Sequence, residues 1–230
     1  MKKIAVICAA FLLPVIIILS SVQLVVQNDA FFRRQYEANN VAENTQIELP
    51  ELMRVTDEIQ AYLFGSRDDF NIHGTVGGEY RPLFAEREIL HMADVRGLFA
   101  LGLLVRNCAL ALLLLLGLYL LQADKILLAK AFQGGCLFFV ALGAAGGLLL
   151  AVQFDRMFVL FHELFFNNDL WLLDPQESIL INMVPQPFFV AASTWILLTA
   201  AMLSGLAGVA GWLLRRRWQE EALPAGRHGD

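Results

Sequence analysis

The stretch from 154 to 189 concentrates side chains that can carry out chemistry. It lies between two long apolar segments, yet it holds a histidine, several carboxylates, two adjacent asparagines and a tryptophan. Aromatic residues recur every three or four positions and predict a stripe on one helix face: Phe154, Phe158, Phe161 and Phe165. Asp155 and Asp169 each lie seven positions from His162 and are expected to share its face if the helix persists. Ionisable groups among aromatic residues beside a bilayer are costly, which favours a functional role over a plain membrane-surface helix.

A second histidine lies just before another apolar run. His91 has Glu88 and Asp94 at helical spacing, so the three side chains are predicted neighbours on one helix face. A carboxylate there would accept a hydrogen bond from one ring nitrogen and fix the tautomer. The alternative is a solvated helix face, but His91 precedes the apolar run by about two turns, the depth predicted for His162. The two histidines are therefore predicted to lie at the same depth at the membrane boundary.

The composition is that of a membrane protein. Apolar residues make up 57% of the chain, and the mean hydropathy is +0.57. Both values are too high for a soluble chain of 230 residues. The net charge of -5 argues against nucleic acid as a partner, and membrane lipids are the expected surroundings. The cysteines form neither a disulfide pattern nor a CxxC motif and are interpreted as small buried hydrophobic residues: Cys8, Cys108 and Cys136.

Four apolar runs are long enough to cross a bilayer, which needs about 20 helical residues. They are predicted at about 4–26, 98–121, 126–152 and 188–214. The first resembles a signal peptide, but no small-residue cleavage site follows it, so we interpret it as a retained helix. Arg106 is placed either within the membrane or reaching to the outer interface. Residues 1–217 are therefore predicted to form one membrane domain, followed by a cytoplasmic tail at 218–230.

Two polar loops, 27–97 and 153–187, separate these spans. Within the first, residues 49–65 carry an early proline, apolar residues at helical spacing and a closing glycine, the pattern of an amphipathic helix. Residues 68–84 place two adjacent glycines between short β-prone runs, which predicts a small hairpin.

Basic residues fix the expected orientation. They all fall on one side of a four-span chain: Lys2, Lys3, Lys125, Lys130 and Arg215 to Arg217. The positive-inside rule makes that side cytoplasmic. The predicted fold is an all-α polytopic membrane protein with four transmembrane helices and both termini inside. Its two loops would form an extracytoplasmic cap that contains the amphipathic helix and the small β-hairpin.

Two segments of the chain resemble the lipoprotein intramolecular transacylase family of bacterial membrane proteins. They read EREILHMADVR (86–96) and FHELFFNNDLWLLDP, with LINMVPQPFF downstream. The resemblance covers nearly the whole chain and implies a protein of the bacterial cytoplasmic membrane with its active site at the outer face. It also implies that a diacylglyceryl-modified lipoprotein gives its sn-2 acyl chain to its own N-terminal cysteine amine, leaving the lyso form. By motif, the two catalytic histidines of the family correspond to His91 and His162.

The residues suit that reaction on their own terms. Moving an acyl group from an ester oxygen to an amine needs a base for the amine proton and an acid for the leaving oxygen. His162, among aromatic residues, is expected to stay neutral, whereas His91, near Glu88 and Asp94, is expected to favour its charged form. Neither serine nor cysteine adjoins either histidine, so nothing predicts an acyl-enzyme.

Supporting residues are predicted from the same two segments. An aromatic wall would exclude water from the ester and so suppress hydrolysis. Its members are Phe161, Phe165, Phe166 and Trp171. The oxyanion could be stabilised by Asn167, Asn168 or Arg96. The remaining supporting or substrate-binding candidates are Asp94, Asp169 and Asp174. Neither a metal nor a cofactor is predicted, and the expected partners are the lipoprotein substrate and membrane lipids.

Two other functions fit parts of the pattern. In a membrane metallohydrolase acting on lipid or peptide, zinc could bind His91, His162, Asp94 and Asp169, but the chain lacks an HExxH-type pair. In a non-catalytic membrane assembly protein, the histidines would be dispensable. A transporter is disfavoured because four spans without internal repeats offer little to rock around a central site.

Overall fold

Long apolar runs with few helix breakers fold into long helices. The computed structural model describes residues 1–222, and in them the helices are α1 (Lys2–Val26), α2 (Asp29–Ala38), α3 (Val41–Thr45), α4 (Leu49–Leu63), α5 (Glu86–Ala123), α6 (Lys125–Phe165), α7 (Ile179–Met183) and α8 (Gln186–Ala222). Strands β1 (His73–Val76) and β2 (Glu79–Pro82) form an antiparallel hairpin between α4 and α5. Helices α1, α5, α8 and the Lys125–Leu150 part of α6 are long and apolar enough to cross a membrane. The predicted fold class is confirmed.

The chain divides into two compact units. The bundle unit comprises Met1–Ser21, Val105–Gly147 and the chain from Leu197 onward. The loop unit comprises Val22–Leu104 and Leu148–Ile196.

Small residues let the helices of the bundle unit approach closely. A Cβ added at Gly135 of α6 would lie 2.9 Å from the carbonyl oxygen of Ala10 in α1, and one at Gly211 of α8 would lie 2.9 Å from the Cβ of Phe132. Close backbone approach is a common way for membrane helices to associate. The buried core between these helices consists of Leu13, Ile17, Phe139 and Ala200.

Basic side chains gather at one end of the bundle unit. The Lys2 ammonium donates to the Ala123 carbonyl at 2.8 Å, which joins the start of α1 to the end of α5. Lys125, at the start of α6, lies 2.5 Å from a carboxylate oxygen of Glu221 near the end of α8. The basic residues therefore lie where the first turns of α1 and α6 meet the last turns of α5 and α8.

Two details of the bundle unit differ from the sequence prediction. Cys8 and Cys108 are free and exposed on apolar helices, so the prediction that they are buried is wrong for both. Such positions face lipid in a membrane, where a small apolar side chain needs no protein neighbour. Helix α8 continues to Ala222, so the start of the predicted tail is helical, and residues 223–230 lie outside the described residues. Arg106 lies within α5 and donates to the Asn107 side chain.

The loop unit contains the amphipathic helix and the hairpin that the sequence predicts. Helix α4 buries Leu52 and Val55 completely, in keeping with apolar residues at helical spacing. The hairpin turns at Gly77 (φ 60°) and Gly78 (φ 90°), where only glycine adopts both left-handed conformations without strain. Arg54 of α4 donates to the His73 carbonyl at 2.6 Å, which ties β1 to the helix.

Helix α2 was missed in the sequence, although its start carries a capping residue. The side chain of Asn28 accepts a hydrogen bond from the Phe31 amide at 3.1 Å. The helix then presents Phe31 and Phe32 to Phe188, with ring centroids 5.3 and 5.2 Å apart. This contact joins the first polar loop to the start of α8.

A buried hydroxyl pair joins α2 to α4. The Thr56 hydroxyl donates to the Leu52 carbonyl at 2.8 Å, so it is left to accept from the Tyr36 hydroxyl at 2.6 Å. Burial raises the pKa of Tyr36 to about 12, although the hydrogen bond to Thr56 opposes the shift.

Helix α6 is broken at Gln153, whose backbone lies at φ -139° and ψ 47°. Beyond this break, the segment 154–165 continues as a helix that belongs to the loop unit. It carries the predicted aromatic stripe, with the Phe154 and Phe158 rings 6.0 Å apart and the Phe161 and Phe165 rings 4.8 Å apart.

Candidate functional site

The site lies within the loop unit, where the first turns of α5 meet the end of α6. The side chain of Glu88 accepts a hydrogen bond from the Ala85 amide at 2.6 Å, a half of the capping box that starts α5. His91 follows one turn later, and His162 lies in the last turn of α6. The two imidazoles are 9% and 7% exposed, and their ring centroids are 6.2 Å apart. The expectation that the two rings approach each other is confirmed.

The backbone fixes the tautomer of His162. Its Nδ1 lies 2.7 Å from the Phe158 carbonyl oxygen, which can only accept, so Nδ1 carries the proton. Nε2 is therefore left with a lone pair. Trp171 stacks on the ring with centroids 4.7 Å apart, and Phe158 lies 4.2 Å away. Burial lowers the pKa of His162, and the hydrogen bond to Phe158 only partly opposes this shift, so the ring is a neutral base at pH 7.

His91 is held mainly by aromatic contact. The Phe166 ring meets it edge-on at 5.5 Å. Within residues 1–222, the buried Nδ1 of His91 has no hydrogen-bond partner. Buried polar atoms nearly always have a partner, and this nitrogen is one of three side-chain atoms in the described residues without one.

The carboxylate of Glu88 does not serve His91. Its Oε1 accepts from the Ser178 hydroxyl at 2.6 Å and from the Leu180 amide at 2.8 Å, while Oε2 accepts from Ala85. The prediction that Glu88 favours a charged His91 is therefore wrong, because its lone pairs point to the start of α7. The carboxylate is 2% exposed and joins α5 to the loop that precedes α7.

Asp94 and Arg87 hold the loop that follows α6 against α5. The Asp94 carboxylate accepts from the Asn168 amide at 2.9 Å, and the Asn168 oxygen accepts from the Leu170 amide at 3.0 Å. Arg87 donates to the Asp169 carbonyl. These contacts fix the chain immediately before Trp171, which in turn stacks on His162.

The predicted aromatic wall is present around His162, but its members differ in burial. Phe166 is 9% exposed and Trp171 is half-buried. Phe161 and Phe165 are 43% and 49% exposed, so they extend the aromatic surface outward instead of enclosing the rings. Phe161 still touches His162 edge-on, with centroids 5.4 Å apart.

For three predicted polar residues, the described contacts are to groups other than the histidine rings, or the side chain is exposed. The Arg96 guanidinium donates to the Asp68 carbonyl at 2.9 Å and lies 4.7 Å from the centroid of the Tyr62 ring. Asp174 caps a turn, where its side chain accepts from the Gln176 amide at 2.9 Å. The side chain of Asn167 is exposed.

The condition for a common face of Asp155, His162 and Asp169 is not met, because α6 ends at Phe165 and Asp169 lies beyond it. Asp169 lies in the following loop with an exposed side chain, and Asp155 accepts from Gln186 instead. Among the described residues, no three histidine, cysteine, aspartate or glutamate side chains are grouped so as to hold a metal ion. The zinc ligands of the metallohydrolase alternative are therefore not assembled.

A groove of about 340 Å³ opens between α5 and the chain at 165–168. Its lining includes Phe166, which contacts the His91 ring, but neither histidine. Its polar end is formed by Asp94, Asn167 and Asn168, and the rest of its lining is mainly apolar. The lining residues that the sequence analysis missed are Ala93, Gly97, Leu98 and Leu101. Gly97, Leu98 and Leu101 lie three, four and seven positions after Asp94, and this helical spacing is the signal that could have identified them. Ala93 adjoins Asp94 in the chain and gives no such signal.

The sequence matches the family model described as "Lipoprotein intramolecular transacylase Lit" over residues 7–189. The chain belongs to this family. The protein is therefore an acyltransferase, and the family named from the motifs around His91 and His162 is confirmed.

The fold is also that of solved structures. The membrane-integral lipoprotein intramolecular transacylase Lit from Bacillus cereus is 22% identical, with a TM-score of 0.83, and the match covers 96% of this chain and 98% of that chain. Two histidine variants of the Bacillus cereus protein match with TM-scores of 0.79 and 0.78 at 21% identity. These two matches cover 96% of this chain and 95% and 96% of those chains. Among curated proteins, no match is found.

Proposed function

We propose that this protein moves the sn-2 acyl chain of a diacylglyceryl-modified lipoprotein to the α-amine of the N-terminal cysteine of the same molecule. The observation that carries the proposal is the pair of buried imidazoles 6.2 Å apart, in a chain of the transacylase family. The Nδ1 of one ring is held by the backbone, and the Nδ1 of the other has no described partner.

In the proposed reaction, the neutral amine nitrogen attacks the carbonyl carbon of the ester and forms the new N–C bond. His162 accepts the proton released by this nitrogen at Nε2, because its Nδ1 is already protonated and bonded to Phe158. The ester C–O bond then breaks. His91 relays the proton from His162 to the departing glyceryl oxygen: one ring nitrogen accepts that proton as the other gives up its own, so the His91 ring stays neutral. The products are an amide and a free glyceryl hydroxyl, so the mass of the substrate is unchanged.

Positioning and exclusion of water are the other proposed contributions. Donor and acceptor belong to one molecule, and holding them in reacting geometry can contribute up to about 7–11 kcal/mol. Trp171 and Phe166 cover the two imidazoles and would keep water from the ester, which hydrolysis would otherwise consume. Their contacts to the rings support this role.

We also propose that the protein lies in the bacterial cytoplasmic membrane with both termini inside and the site at the outer face. The gathering of Lys2, Lys125 and the end of α8 at one end of the bundle unit supports this topology. A reporter fused after Arg217 should be active only in the cytoplasm. Activity of that fusion on the outer side would contradict the topology.

Mass spectrometry of a synthetic diacylglyceryl lipopeptide tests the acyl transfer. The wild-type protein should leave the total mass unchanged while the fragment that contains the cysteine amine gains the acyl chain. His162→Ala and His91→Ala should each lower the rate by about 10²–10⁴-fold, the usual contribution of one acid–base group. His73→Ala is the matched control, since His73 is exposed on the hairpin.

A further substitution separates the loss of the basic nitrogen from the loss of the hydrogen bond to Phe158. In His162→Asn, the side-chain amide can still donate to the Phe158 carbonyl, but it offers no basic nitrogen. This variant should melt like the wild type and remain inactive. Release of free fatty acid by the wild type would indicate a hydrolase instead, and full activity of the double alanine variant would remove both histidines from the mechanism.

A further inference from the structure

The groove that begins at Asp94 changes from polar to apolar along α5. Asp94, Leu98 and Leu101 line it, and their positions on α5 differ by four and three residues, so they share one face of the helix. His91 lies on the same face, one turn before Asp94. The distance along α5 from Asp94 to Leu101 is about 10 Å. At the start of this length, the lining is the Asp94 carboxylate, which accepts a hydrogen bond from the Asn168 amide. At Leu98 and Leu101 it consists of aliphatic side chains.

Gly97 keeps the groove open. It is an exposed residue directly before the apolar run of α5, and a Cβ added there would have no atom within 4 Å. No close contact in the loop unit therefore requires glycine at this position, and glycine is unfavourable inside a helix by about 1 kcal/mol relative to alanine. Because Gly97 lines the groove, the absence of a side chain here leaves space in it.

We infer that this groove binds the acyl chain that is transferred, and that Gly97 limits the length and bulk of the chain that fits. The inference rests on the proposed acyl transfer and adds the position of the chain. An ester has a polar end and an aliphatic end, which is the order of polarity along the groove. A chain lying along Gly97, Leu98 and Leu101 would place its ester toward the end of α5 that carries His91. The transferred chain is favoured over the retained one because its carbonyl must reach both histidines.

Substitution of Gly97 tests the inference without a predicted clash. Gly97→Leu would place an aliphatic side chain into the groove, and Gly97→Ala would place a methyl group there. Gly205→Leu is the matched control, because Gly205 is also an exposed helical glycine whose added Cβ would have no atom within 4 Å, and it lies in the bundle unit. Leu101→Phe fills the apolar end of the groove and serves as a second variant.

The assay compares three lipopeptides that share one peptide. The first carries hexadecanoyl chains at both positions, the second carries octanoyl at sn-2 only, and the third carries octanoyl at sn-1 only. Conversion is measured by mass spectrometry, and thermal unfolding of each variant is recorded in the same detergent.

Gly97→Leu should slow conversion of the two substrates with a hexadecanoyl sn-2 chain by about 10-fold or more, the discrimination that one misfitting group in an apolar pocket provides. Conversion of the octanoyl sn-2 substrate should stay near the wild-type rate. The rates for Gly97→Ala should lie between those of the wild type and Gly97→Leu. Leu101→Phe should slow the same substrates as Gly97→Leu does. Gly205→Leu should convert all three substrates at the wild-type rate.

Two results would overturn the inference. Equal slowing of all three substrates by both groove variants would mean that chain length is not read in the groove. If the groove variants slow only the substrates with a hexadecanoyl sn-1 chain, the groove binds the retained chain instead. If the wild type converts none of the three substrates, the proposed acyl transfer fails instead, so the two failures are distinguishable.

Discussion

Removal of the Glu88 carboxylate should destabilise the loop unit without changing either histidine ring. The side chain accepts hydrogen bonds from three donors and is 2% exposed. In Glu88→Ala, the Ser178 hydroxyl and the Leu180 amide, which belong to residues that are each 6% exposed, would lose their acceptor. The third donor is the amide of the exposed Ala85. It can form a hydrogen bond to water instead, so its loss adds little to the destabilisation.

The size of the effect follows from these two buried donors. Leaving one buried donor unpaired costs about 1–3 kcal/mol, so the pair lowers the free energy of unfolding by about 2–6 kcal/mol. For a chain of this size, that range corresponds to a fall in Tm of about 4–24 °C. Glu88→Gln keeps an acceptor oxygen for the Ser178 and Leu180 donors and should lose only about 1 kcal/mol.

Thermal unfolding in detergent micelles, followed by circular dichroism, measures the difference. Glu86→Ala is the matched control, because Glu86 lies in the same first turn of α5 but is exposed. It should change the free energy of unfolding by no more than about 1 kcal/mol. An equal change in Tm for Glu88→Ala and Glu86→Ala would show that the buried hydrogen bonds of Glu88 do not stabilise the loop unit. A Glu88→Gln variant as unstable as Glu88→Ala would show that the charge matters, and not the accepted hydrogen bonds.

Three further predictions concern other parts of the molecule. The pKa of His162 lies below its ordinary value of about 6.5, so the ring should be neutral at pH 7 in an NMR titration, and stability should fall as the pH drops below about 6.5 because the unfolded chain then binds more protons. Gly135→Leu should prevent close packing on the Ala10 carbonyl and lower Tm. Thr56→Val should destabilise by about 1–3 kcal/mol, more than Tyr36→Phe, because only the former leaves a buried donor unpaired.

Each of these predictions has a contrary outcome. A His162 ring that is half protonated at pH 7 would contradict the effect of burial on its pKa. Unchanged melting of Gly135→Leu relative to Gly205→Leu would show that the close contact at Gly135 does not limit packing. If Tyr36→Phe proves as costly as Thr56→Val, the Tyr36 hydroxyl has another role.

The sequence predicted the elements whose signals are local. Apolar runs of membrane length, the helical pattern at 49–65 and the paired glycines at Gly77 and Gly78 each depend on neighbouring residues alone, and all three predictions were confirmed. The approach of His91 and His162 was also predicted, because each lies near the end of a helix and the family motif joins them.

Contacts between distant segments could not be predicted in the same way. Helical spacing placed Glu88 beside His91, but spacing gives neither the rotamer nor the partner, and the Ser178 and Leu180 donors come from a different segment. Arg96 was a candidate for the oxyanion because arginine is a strong donor, yet Asp68 and Tyr62 engage it. Gly97 was missed because a glycine in an apolar helix gives no signal until the space beside it is known.

The contact between Glu88 and the start of α7 also bears on how the protein is made. Its two main donors are synthesised 90 and 92 residues after it. At about 5–20 residues per second, the carboxylate leaves the ribosome roughly 5–20 s before its partners. Most of α5 and all of α6 are synthesised in that interval. A product truncated before His162 therefore carries only one of the two histidines of the site.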